Sequence, residues 1–99
     1  PIRVDGGTPA GRVGAVMLSD GAVLVSWVER TGGERAEVRA RRVSPDGTLD
    51  APLTIATSSA ARASGFPRMA ALGDTIVLAW TEPGQKSVVR SARAVVPRR

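Results

Sequence analysis

A chain of 99 residues with 42% apolar content can form one small domain with a core, though with little stability to spare. The absence of cysteine and histidine excludes a disulfide framework and thiol-bound metal, and removes the commonest zinc ligand and general base. Fourteen basic against nine acidic side chains give a net charge of +5, but the arginines are spread from Arg3 to Arg99, and two Trp, one Phe and no Tyr offer few stacking platforms, which argues against nucleic acid as the partner.

The chain opens on Pro1-Ile2-Arg3-Val4, a proline followed by two apolar residues flanking a polar one, which reads as a short strand before the turn-rich linker Asp5 to Gly11. Arg12 to Leu18 is a small-residue apolar segment leading to the turn Ser19-Asp20-Gly21. Ala22 to Glu29 is apolar at nearly every position and rich in β-branched residues, the pattern of a strand buried on both faces. The polar loop Arg30 to Arg35 follows, then the partly exposed strand Ala36 to Val43 and the turn Ser44-Pro45-Asp46-Gly47.

From Pro52 the order repeats. Pro52-Leu53-Thr54-Ile55 matches Pro1 to Val4, the linker Ala56 to Gly65 matches Asp5 to Gly11, and Phe66 to Leu72 with Gly73-Asp74 matches Arg12 to Gly21. Thr75 to Glu82 echoes Ala22 to Glu29, with Trp27 and Trp80 53 positions apart. The loop Pro83 to Lys86 leads to Ser87 to Val95, whose Val89-Arg90 answers Val38-Arg39. The repeats are 1–51 and 52–99, each with four short strands, and no window carries a capped helical pattern.

The fold expected is all-β: two four-stranded antiparallel blades of a β-propeller. With the innermost strand named A and the outermost D, the chain reads D, A, B, C, D, A, B, C. The leading D strand, Pro1 to Val4, has no blade of its own, and the last blade lacks its D strand. Two blades cannot surround an axis. Closure is therefore expected by oligomerisation, with Pro1 to Val4 pairing with Ser87 to Val95 of a neighbouring copy, or else the chain is a piece of a longer protein. Three chains making six blades are preferred, ahead of two chains with four and four chains with eight.

Ser44-Pro45-Asp46-Gly47-Thr48-Leu49, between strands C and D, resembles a degenerate Asp-box (Ser/Thr-x-Asp-x-Gly-x-x-aromatic), with Gly47 one position early and the aromatic replaced. The second copy has no counterpart, since Val95-Val96-Pro97 follows there. Box and repeat together resemble the sialidase-like propellers with Asp-box (BNR) repeats, over nearly all of the chain as blades rather than as a site. Enzymes of that family hold a substrate carboxylate with three arginines and use a Tyr with a Glu as nucleophile and an Asp as acid/base. This chain has no Tyr, so the resemblance implies a scaffold rather than a glycosidase. Phe66-Pro67-Arg68-Met69 is similar in composition, though not in order, to the family's Phe/Tyr-Arg-Ile-Pro element, which points to Arg68.

Propeller topology sends Arg12 and Arg68, at the entrance of the A strands, and Glu29 and Glu82, at the exit of the B strands, toward one rim. That rim is either a site for an anionic or carbohydrate ligand or a solvated ring of paired charges. The tryptophans read as packing between blades. No cofactor and no metal site is expected, because no carboxylates cluster at calcium-loop spacing. No apolar run is long enough for a membrane helix and no leader precedes the first strand signal, so the expectation is a soluble chain without a membrane or targeting segment. The leading function is a non-catalytic self-assembling structural or binding module. A sialidase-type glycoside hydrolase fragment and an Arg-rich polyanion binder stand behind it.

Overall fold

A computed structural model describes residues 1–59, 67–73, 75–82 and 88–95. Expectations for Phe66, Asp74, Ser87, most of the linker before Gly65, the loop Pro83 to Lys86, and Val96-Pro97 lie outside the described residues. Seven strands run in chain order: β1 (Pro9–Met17), β2 (Val23–Gly32), β3 (Arg35–Val43), β4 (Leu53–Ser59), β5 (Arg68–Leu72), β6 (Thr75–Glu82) and β7 (Val88–Val95). They form two antiparallel meanders, a four-stranded sheet β1-β2-β3-β4 and a three-stranded sheet β5-β6-β7. Among the described residues there is no helix, and so none long and apolar enough to cross a membrane.

The registers of the two sheets coincide. Trp27 lies opposite Arg39 as Trp80 lies opposite Arg90, and Ser26 lies opposite Gly14 as Ala79 lies opposite Arg68. The repeat in sequence is thus a repeat in hydrogen bonding, because the alternation that decides which face is buried also fixes the pairing.

Several boundaries differ from the expectations; β4 runs on through Ser59 into the segment read as linker from Ala56, because Thr57 to Ser59 find ladder partners in Glu37 to Arg35. β1 begins at Pro9, inside the segment read as linker. Irregular pairing between Pro9 and Gly14 absorbs its proline and glycines, with Gly11 at φ +85° and Arg12 at φ +58°. β2 runs through Gly32, so the polar loop Arg30 to Arg35 contracts to the turn Gly33-Glu34: exposed charged residues still find ladder partners in a hairpin. Pro1 to Val4, read as a strand, has no ladder partner among the described residues.

The core lies between the sheets. Leu18, Ala22, Leu24 and Ala40 of the first sheet meet Ile76 and Leu78 of the second, with Ile55, Met69 and Trp80 packed around them. Arg42 is buried at the edge of this layer because Asp20 takes its guanidinium as an ion pair and Ser44 accepts from its Nη1 at 2.8 Å. The turn after β3 is closed by Gly47 N–H to Ser44 O at 2.8 Å, Ser44 N–H to Thr48 O at 2.9 Å and Thr48 N–H to Asp46 Oδ1 at 3.0 Å. Gly47 sits at φ +90°, where a side chain would be strained.

Candidate functional site

Strand parity puts Leu24, Ser26 and Val28 of β2 on the face toward the second sheet, and Val25, Trp27 and Glu29 on the opposite face. Residues 1–8 lie across that opposite face as an arm. Its anchor is Glu29, whose carboxylate is only 2% exposed. Oε1 accepts the Gly6 N–H at 2.5 Å and the Trp27 Nε1–H at 2.9 Å, and Oε2 accepts the Thr8 N–H at 2.8 Å. Arg39, opposite Trp27 in the ladder, brings Nη1 to 3.7 Å from Oε1 and pairs more closely with Glu37 at 2.8 Å.

A cross-strand pairing extends the anchorage: Thr8 O accepts the Arg30 N–H at 2.9 Å, and Thr8 Oγ1 donates to Arg30 O at 2.9 Å. Further along, Arg41 Nη1 donates to Val4 O at 3.0 Å, and Ile2 reaches the turn at Gly47. Gly6 is required by the close approach, since a Cβ there would fall 2.9 Å from Glu29 Oε1.

Burial pushes the Glu29 carboxyl up, but the hydrogen bonds from Trp27, Gly6 and Thr8 outweigh it and hold the group below the ordinary glutamate value. Asp20 is also lowered, by the Ala22 N–H and then by Arg42. A carboxylate with a depressed folded-state value stabilises above its unfolded value, and that contribution is lost as pH falls through the folded one. Stability to denaturant is therefore expected to be flat around neutrality and to fall below about pH 4. Urea midpoints across pH check this, and in Glu29→Gln the acid slope should be shallower.

Of the four rim residues, Arg68 and Glu29 have described surroundings that differ. Arg68 is exposed at the start of β5 and lines a groove of about 610 Å³ with Val13, Gly14, Ala15, Pro67 and Met69, and Arg12 immediately precedes that wall. Glu29 lies on the far face, committed to the arm. Glu82 closes β6 opposite Val88, and its side chain lies outside the described residues. The tryptophans divide likewise: Trp80 packs between the sheets, and Trp27, 3% exposed, lies on the arm's face.

Sequence reasoning missed Gly6, Thr8 and Arg39 as partners of Glu29. The available signal was an acid at the end of an otherwise apolar strand, on the same parity as Trp27, since a buried carboxylate needs donors. A second groove, about 330 Å³ and mainly apolar, runs between the arm and the sheet, lined by Ile2, Val4, Pro9, Val13, Val25 and Trp27. Among the described residues no three carboxylates come together as a cation site. Comparison of the chain with protein-family models, with curated proteins and with solved structures finds no match.

Proposed function

We propose that this chain is a non-catalytic, self-assembling β-propeller module of the sialidase-like kind, whose copies join head to tail, three to a ring, with Pro1 to Val4 of each completing the sheet of the next. The observation that carries this is a mismatch between the sheets. The first has four strands in the order A, B, C, D, and the second, among the described residues, has A, B and C with β7 at its edge. An open edge of unpaired N–H and C=O groups is a template for another strand.

The strand that would fill it has a matching segment in this chain. Residues 1–6 run exposed, exposed, exposed, half-buried, half-buried, exposed, and residues 52–57, which enter the fourth strand of the first sheet at Leu53, run the same way. Pro1 to Val4 is held against the first sheet much as Leu53 to Ala56 is held against the second: Val4 lines the groove with Trp27, and Ile55 packs on the core beside Trp80.

Glu29 is not placed as a free hydrolytic carboxylate, since its oxygens accept from Gly6, Thr8 and Trp27. A binding role at the Arg68 groove remains compatible with assembly, an anionic or carbohydrate ligand being the class its guanidinium would suit. The test is a chain lacking residues 1–5. It is expected to keep its β circular dichroism and run as a single chain in sedimentation velocity. Undiminished assembly of the truncated chain would refute strand donation.

A further inference from the structure

Equivalent positions of the two sheets are covered very differently. Leu18 is 4% exposed and its counterpart Leu72 85%; Leu24 is 5% exposed and Val77 46%; Val38 is 0% exposed and Val89 75%. Arg42 is buried where its counterpart Arg93 is exposed. In every pair the first member belongs to the face of the first sheet that packs on the second, and the second member to the face of the second sheet that packs on nothing among the described residues. The other faces correspond too: Leu78 and Trp80, which receive the first sheet, are the counterparts of Val25 and Trp27 beneath the arm.

The contact inside one chain thus joins two different faces, so repeating it between chains uses the open face of the second sheet and the arm's face of the first. Taking the assembly proposed above as given, we infer that the open face bearing Leu72, Val77 and Val89 docks on the Val25-Trp27 face of a second copy, with that copy's arm paired to β7 so that Ile2 lies opposite Ser91, Arg3 opposite Arg90 and Asp5 opposite Val89. The occupant is a second copy because the interface continues one already present: the same faces and the same strand order, displaced by one repeat.

The register comes from the first sheet, where Leu53 lies opposite Ala40, Thr54 opposite Arg39 and Ala56 opposite Val38, with Ile55 skipped at a bulge. Val4 is the counterpart of Ile55, and a residue skipped by the ladder has its carbonyl free. The Val4 carbonyl is already given to Arg41 at 3.0 Å. Arg3 facing Arg90 is the one unfavourable pair. Asp5 relieves it, accepting from Arg3 Nη2 at 3.0 Å.

The chain has no cysteine, so introduced pairs report cleanly. Residues directly opposite in an antiparallel ladder have Cα atoms about 4.5–5.5 Å apart, within disulfide range, whereas four positions further along adds roughly 13 Å. Ile2→Cys/Ser91→Cys is therefore expected to oxidise into covalent species at multiples of the chain mass, reversibly with dithiothreitol, and about tenfold more than Ile2→Cys/Val95→Cys. Preferential cross-linking of the Val95 pair, or none in either variant while the reduced proteins still sediment as oligomers, would overturn this docking and leave self-assembly standing. Reduced variants and the parent chain that all sediment as folded single chains would overturn both.

Discussion

Glu29→Ala is expected to destabilise the free chain by about 2–4 kcal/mol, a large share of what a domain this small possesses. The wild-type carboxylate satisfies two backbone N–H groups of the arm and the Trp27 indole. Hydrogen bonds to a charged acceptor contribute about 1.5–3 kcal/mol each, but the arm can lift into water when its acceptor is gone, which caps the loss well below their sum. The cost left over is the uncovering of Trp27, whose apolar surface and indole N–H then meet water. Denaturant melts should show the midpoint shift, and Trp27 should become accessible to an acrylamide quencher. Glu29→Gln keeps one acceptor oxygen, turns an NH₂ toward the arm's donors and should fall between. A Glu29→Ala chain as stable as wild type would mean that the arm is not held by this residue.

Val77→Asp is expected to leave the single chain nearly unchanged and to abolish assembly. Val77 is half exposed on the open face, where a substitution in the free chain alters stability by no more than about 0.5 kcal/mol. Its counterpart Leu24 is buried against the neighbouring sheet, so in an assembled ring the new carboxylate would be buried with no partner built for it, at a cost of several kcal/mol. Since about 1.4 kcal/mol is a factor of ten, association should weaken at least about a hundredfold. Gel filtration against concentration checks this. Normal assembly of the variant would remove the open face from the interface.

Both effects follow from features of unequal visibility in the sequence. The two tryptophan strands were legible because a buried strand repeats its apolar run wherever it occurs, and the four-strand order was legible from the turns between runs. The strand ends were not: Arg30 to Gly32 are polar and exposed yet laddered, and Pro9 to Gly14 carry the residues of a linker within an irregular strand. Hairpin pairing satisfies the backbone whatever the side chains do.

Arg12, Arg68, Glu29 and Glu82 were grouped by topology alone. The parity that Glu29 shares with Trp27 turns it toward the arm, and its partners lie 21 and 23 positions away in sequence. Such a contact has no local signature. The matching burial of residues 1–6 and 52–57 had one, the shared Pro-apolar-polar-apolar pattern, and no ladder partner for the arm lies among the described residues.

The molar mass of the intact chain by light scattering, at micromolar concentration and near-neutral pH, decides whether copies complete one another. About three times the 10.3 kDa of one chain is expected, and two or four chains would change only the size of the ring. A well-folded particle of 10.3 kDa that stays so as concentration rises would contradict it.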